Sequence, residues 1–339
     1  MSALKKLMAL LAVMTLSLAG CANQGVGNSE DATEENPMIL TLAHSLSEDH
    51  VTSVAVREFA DDVYERSNGR LKIKIYPNGQ LGSETEVLEQ IMAGVGAMTR
   101  VGAPGLAMYN EGYHTFGLPF VFEDEDHYYR AMDSDAMREF FESSADDGFV
   151  ALTYYTSGAR SFYTRNKPIR TPEDLHGMKI RVQNMRSQTD MMRALGGTPV
   201  VIPFGDIYTS LESGIIDGAE SNETALTQSN HGEVAKVFSV NEHTMIPDML
   251  VISTKVWDRL TPEDQQILVD AAVESTEKHK VAWAEAIDQS IEDAKAMGVE
   301  FVEDVDRDAF REATSSMVDD YAKEYPKVAD VLDIIEQAR

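Results

Sequence analysis

Within residues 171–222, Lys179-Ile180-Arg181-Val182, Pro203-Phe204-Gly205-Asp206-Ile207-Tyr208 and Asp217-Gly218-Ala219-Glu220-Ser221-Asn222 follow one another. The first reads as a short strand, and Arg181 stands where that strand gives out into polar residues. An arginine there can present a planar, five-donor fork to a carboxylate in a cleft. Around it the pattern predicts helix Ser187 to Leu195, a Gly196-Gly197 break, strand Val200 to Ile202 and helix Asp206 to Ser213.

An earlier series has the same rhythm. Ile39 to His44 reads as a buried strand ending in a polar group. Val51, Val54, Ala55, Phe59 and Val63 fall near helical spacing, and Asn68-Gly69 stops them. Leu71, Ile73 and Ile75 alternate with Lys72 and Lys74 as a strand with one wet face, and Pro77-Asn78-Gly79 turns the chain. Ser83 to Ala93 is the next helix, and strand and helix are expected to alternate to about Tyr155. The class is therefore α/β with largely parallel sheets. Met249 to Thr254 reads as a further buried strand.

Thr261-Pro262-Glu263-Asp264 is a strong helix start: a cap, a proline at the first position and acids in the first turn. No breaker follows before Gly298, so about 36 residues give a helix of roughly 54 Å, long enough to cross from one domain to another. The expected division is residues 38–158 plus 247–286 for domain I and 159–246 plus 287–339 for domain II.

The chain of 339 residues carries a formal net charge of -28, which makes nucleic acid and anionic lipid surfaces poor partners. Any anion site must overcome that mean field locally. Residues 1–20 read as a secretory signal, with Lys5 and Lys6 before thirteen largely apolar residues from Leu7 to Ala19. The single cysteine closes it in Leu18-Ala19-Gly20-Cys21, which resembles the bacterial lipobox and implies lipidation of Cys21. Residues 21–37 read as a flexible tether. The protein is expected outside the cytoplasm, as a monomer anchored to a bacterial membrane through Cys21.

The eight histidines are dispersed with no pair at ligand spacing, so no metal site or cofactor is expected. No Gly-x-Ser-x-Gly elbow occurs, and no cysteine remains after the signal, so the expectation is a binding protein rather than an enzyme. The candidates suit a small anion. Arg181 and Arg160 are either anion ligands or surface ion pairs. His44 is a donor or a structural histidine, and Phe204 is a ligand-facing ring or a core residue.

Gly79-Gln80-Leu81-Gly82, Leu118-Pro119-Phe120-Val121-Phe122, Leu175-His176-Gly177-Met178-Lys179-Ile180-Arg181-Val182 and Asp217-Gly218-Ala219-Glu220 occur in this order. Together they resemble the solute-binding proteins of tripartite ATP-independent periplasmic (TRAP) transporters, the DctP type. The resemblance implies a two-domain periplasmic binding protein fold with a ligand cleft between the domains, and a membrane permease as partner. It places the ligand carboxylate on Arg181, with Arg160 assisting and Glu220 and His243 orienting Arg181. It places a stacking ring at Phe204 and polar contacts at His44, Glu84, Asn184 and Asn222. Ser221 departs from the family's usual asparagine.

Gly102 and Ala103 stand where sialic-acid members carry a charged pair. Met98-Thr99-Arg100 and Gly158-Ala159-Arg160-Ser161-Phe162-Tyr163 are more similar to members that bind sugar acids such as uronates, and Arg100 is either a ligand contact or a structural ion pair. The alternatives are a four-carbon dicarboxylate or another 2-oxo or hydroxy acid as ligand, an extracytoplasmic enzyme, or a ligand-sensing module.

Overall fold

The computed structural model describes residues 27–339, so the expected signal and Cys21 lie outside the described residues. Two mixed sheets carry the fold. The first is built from β1 (Met38–Ala43), β2 (Leu71–Tyr76), β3 (Met98–Gly102), β4 (Phe149–Tyr155) and β10 (Asp248–Ser253), in the order β2-β1-β3-β10-β4. The second contains β5 (Ala159–Thr164), β6 (Lys179–Val182), β7 (Thr198–Val201), β8 (Gly218–Ser221), β9 (Val237–Met245) and β11 (Glu300–Val302), in the order β11-β9-β5-β8-β6-β7.

The expectation of largely parallel sheets needs correction. β10 runs antiparallel to both β3 and β4, and β5 antiparallel to both β8 and β9. Parallel neighbours need a crossover of a dozen or more residues. Here β10 comes off β9 through Ile246 and Pro247 alone, and β5 comes off β4 through Thr156 to Gly158. Each strand thus passes straight into the other sheet and enters it running against its neighbours.

The expected alternation also lapses between β3 and β4. That stretch carries helical segments and, among the described residues, no strand, with 3-10 turns at Ala103–Met108 and Glu111–Gly117 and helices at Glu125–Met132 and Asp135–Ser143. Its aromatic residues Tyr113, Phe116 and Phe141 share one core with Ile180 and Val182 of β6 and with Val328 and Val331 of the C-terminal helix Pro326–Gln337.

Local chemistry fixes the other helices. Ser83 and Glu86 form a reciprocal capping box at the start of Glu84–Ala93. Thr261 caps Pro262–Ala296, a helix of 35 residues. Leu268, Ala271 and Ala272 near its start pack into the core of the first sheet, and Ala294 near its end into that of the second. The helix crosses between the two lobes.

Part of the expected tether is ordered. The Ser29 N–H donates to the Arg259 carbonyl, Ser29 Oγ accepts from Thr261 N–H, and Ala32 is buried in the first core. A few polar residues can be held by hydrogen bonds to a preformed surface without an apolar pattern of their own. Among the described residues, no helix is long and apolar enough to cross a membrane.

Candidate functional site

Between the sheets lies a cleft of about 730 Å³, continuous through Glu84, Gly102, Arg181, Gln183 and Phe204 with an inner chamber of about 50 Å³. The first lobe contributes Ser45 after β1, Glu84 at a helix start, Arg100 on β3 and Asp248 on β10. The second contributes Arg160 on β5, Arg181 on β6, Phe204 after β7, and Ser221 and Asn222 at the end of β8. Apart from Arg100, in the middle of β3, these side chains sit at or near a strand or helix terminus, where the regular backbone hydrogen bonds run out and polar groups can face a cleft.

Three arginines are buried: Arg100, Arg160 and Arg181. Arg160 is clasped by Glu220, with Nε donating to Oε2 at 2.6 Å and Nη2 to Oε1 at 3.0 Å and to the Glu220 carbonyl at 2.6 Å. Arg100 donates to Glu84 Oε1 at 2.6 Å and to Asp248, and its Nε has no partner. Arg181 differs from both. Its Nε donates to the Ile202 carbonyl at 3.0 Å and its guanidinium carbon lies 5.9 Å from the centre of the Phe204 ring, but it forms no ion pair with any described residue. Burial therefore pushes its pKa down, partly offset by the field of Glu220. A buried cation with both Nη groups free is an incomplete site for an anion.

The expectation that Glu220 and His243 orient Arg181 is corrected by this geometry. Glu220 is the fork partner of Arg160, which sits on β5 two residues from Phe162, the register partner of Glu220. Burial raises the Glu220 carboxyl, but Arg160 and His243 outweigh it and hold the pKa down at about 2. His243 Nε2 lies 3.6 Å from Glu220 Oε2, and its ring stacks on Phe162 at 4.6 Å. Both residues support Arg160 from behind.

The other expected residues fall as follows. Asn184 is exposed at the cleft mouth, and its Nδ2 donates across to Thr85 Oγ1 at 3.3 Å. Glu84 accepts from Ser45 Oγ at 2.7 Å as well as from Arg100. Ser221 is buried and lines the inner chamber. His44 lines neither space. It is buried with both ring nitrogens lacking hydrogen-bond partners, and burial and then Arg100 lower its pKa to about 4. The polar group that β1 delivers to the cleft is Ser45.

Sequence reading missed Gln183, Asp248, Trp283, His50 and Thr224, all lining the inner chamber. Gln183 was accessible, since i and i+2 on a strand share a face and Arg181 was already chosen. Asp248 opens an otherwise apolar strand, which is a signal for a buried charge. Trp283, in the middle of the long helix, carries no such signal. The described residues hold no cluster of His, Cys, Asp and Glu able to bind a metal.

Two α/β lobes, strand connections that cross between them, and a polar cleft at the crossing define a two-lobed solute-binding protein. Residues 42–324 match the DctP family, described as bacterial extracellular solute-binding protein, family 7, and the chain belongs to that family. The 2,3-diketo-L-gulonate-binding periplasmic protein YiaO of Escherichia coli is 30% identical over 88% of this chain and 92% of its own. A TRAP periplasmic solute-binding protein of Anaerococcus prevotii, solved with α/β-D-glucuronate, is 33% identical with a TM-score of 0.85 over 88% of this chain and 97% of its own. One from Xanthobacter autotrophicus, solved with β-D-galacturonate, is 35% identical with a TM-score of 0.85 over 88% of this chain and 100% of its own.

Proposed function

We propose that this protein captures a sugar acid of the uronate type outside the cytoplasm and delivers it to a TRAP-type permease. The observation that carries the reading is the buried Arg181 with no ion-pair partner. A ligand carboxylate would complete that guanidinium in a bidentate, charge-assisted contact. Phe204, beside Arg181, would cover an apolar face of the sugar ring. Asn184, Glu84, Ser45, Ser221 and Asn222 offer donors and acceptors for hydroxyl groups. The buried ones among them, Ser221 and Asn222, reject a ligand that lacks the matching partner. The likeness to relatives solved with glucuronate and galacturonate supports the same ligand class.

A four-carbon dicarboxylate would need a second free cation. Arg100 is occupied by Glu84 and Asp248, and Arg160 by Glu220. The protein acts by binding without turnover, and a lipid on Cys21 tethers it to the membrane. Calorimetry with D-glucuronate, D-galacturonate, aldonates and succinate tests the ligand class: a uronate binds most tightly and is recovered unchanged. Preference for succinate, or turnover of the uronate, sinks the reading. Replacing Cys21 with Ser should release the protein from the membrane fraction.

A further inference from the structure

Asn222 stands at the end of β8, where its side chain faces the inner chamber. Its Oδ1 accepts twice from Thr224, from the backbone N–H at 3.0 Å and from Oγ1–H at 2.6 Å. A backbone N–H can only donate, so the atom it meets is the carbonyl oxygen, which leaves the amide Nδ2–H2 as the free end. The Thr224 hydroxyl spends its one proton on Asn222, so toward any further partner its oxygen can only accept. The group in reach is His50 Nε2, at 3.3 Å.

The tautomer agrees. His50 Nδ1 accepts from Thr52 N–H at 3.1 Å, so in the neutral ring the proton sits on Nε2, where Thr224 needs it. Burial, and then the field of Arg100, lower the His50 pKa to about 3, which keeps the ring neutral across the physiological range. The proton order is thus determined along the whole row: Thr52 N–H to His50 Nδ1, His50 Nε2–H to Thr224 Oγ1, Thr224 O–H to Asn222 Oδ1.

This row crosses the lobe boundary. His50 caps the helix Val51–Arg66 of the first lobe, whereas Thr224 and Asn222 follow β8 in the second. Two more hydrogen bonds follow the same seam, from Val51 N–H to Gln228 Oε1 at 3.0 Å and from Ser47 Oγ to the Gln228 carbonyl at 3.4 Å.

We propose that His50 and Thr224 are positioning residues which, across the lobe boundary, fix Asn222 as a hydrogen-bond donor to an oxygen of the ligand. The inference rests on the sugar-acid reading for the ligand, but not for the row itself. Asn222 then selects an acceptor, such as a carboxylate, ring or carbonyl oxygen, because no acceptor on its side chain remains free. The row joins the two lobes in this structure, so the same contacts that hold the seam also orient the donor.

The row is tested first without ligand. In 15N-histidine-labelled protein, NMR should show His50 protonated at Nε2 and not at Nδ1; the opposite tautomer overturns the proposal. Calorimetry with D-glucuronate then reads its consequence. Thr224→Val should weaken binding roughly tenfold by leaving Asn222 free to turn, whereas Thr224→Ser should stay within about twofold. His50→Phe combined with Thr224→Val should be no weaker than Thr224→Val alone, since both cut one row. Thr224→Val binding like the wild type, Thr224→Ser failing like Thr224→Val, or fully additive losses each overturn it. If the wild type binds no uronate, the ligand reading falls, while the tautomer still decides the row.

Discussion

Glu220 holds Arg160 through both carboxylate oxygens, at 2.6 and 3.0 Å, and leaves Arg181 of the neighbouring strand without a carboxylate. The acid excess of the chain makes this notable, because 57 acidic residues surround 29 basic ones and none of the acids pairs with this cation. Two buried arginines, on the strands that flank β8, therefore have different work. Arg160 is neutralised inside the protein, and Arg181 is left to be neutralised from outside. A buried ion pair that is complete contributes a fixed local geometry, while an incomplete one contributes affinity for whatever completes it.

Arg181→Ala should weaken uronate binding roughly 10- to 100-fold, the range expected for losing a charge-assisted contact. Arg181→Lys should fail as well, because a point charge cannot reproduce the planar fork. In the ligand-free protein the unpaired cation is a burden, so Arg181→Met should raise the melting temperature while removing ligand-induced stabilisation. Calorimetry and thermal unfolding check all three. A melting temperature that falls in Arg181→Met would show that the guanidinium supports the fold.

Glu220→Gln leaves Arg160 buried without its counter-charge and should destabilise the protein by about 3–5 kcal/mol. The pH dependence has a defined sign. The folded pKa of about 2 lies below the carboxyl's ordinary 4.5, so this stabilisation is fully present above about pH 4.5. It is lost as pH falls from there toward 2. Urea titrations at pH 7 and pH 3 should show a smaller gap between wild type and Glu220→Gln at the lower pH.

Glu223 has the opposite sign. Burial, and then the nearby Glu242, raise its pKa to about 7. The folded state then holds a proton that the unfolded state releases, so stability declines as pH rises from about 4.5 through 7. Glu223→Gln should therefore raise the melting temperature at pH 8 and leave it unchanged at pH 4. Equal shifts at both values would exclude a titrating carboxyl as the cause.

Trp283 lines the inner chamber, whereas the only other tryptophan, Trp257, belongs to the outer part of the first core. Uronate binding should change the intrinsic fluorescence, and the change should vanish in Trp283→Phe but persist in Trp257→Phe. Survival of the signal in Trp283→Phe would place the ligand away from this chamber.

The strands and helices that carry the site were legible because local rules govern them. Alternation marked β2, a capping signal marked Thr261, and a long run without breakers marked the crossing helix. Arg181 was legible as a strand-end arginine, and the ordered motifs around it pointed to the family. The direction of β10 and β5 was not legible, since it depends on where two- and three-residue connectors deliver the chain. His44 and Ser45 illustrate the finer limit: one residue of register decides which faces the cleft, and both fit the pattern.

By itself, the sequence determined most of the elements that carry the site, the family and the set of charged residues available to a cleft. These follow from periodicity, caps and turn chemistry, which act over a few residues. Only the tertiary structure decided which acid serves which arginine. Arg160 and Glu220 are 60 positions apart, and Glu220 follows Arg181 by 39, so proximity along the chain favoured the wrong partner. The sheet order puts β8 between β5 and β6, within reach of both arginines, and side-chain geometry then gives Glu220 to Arg160. Coulomb energy depends on distance through space and on burial, and neither quantity is written along the chain.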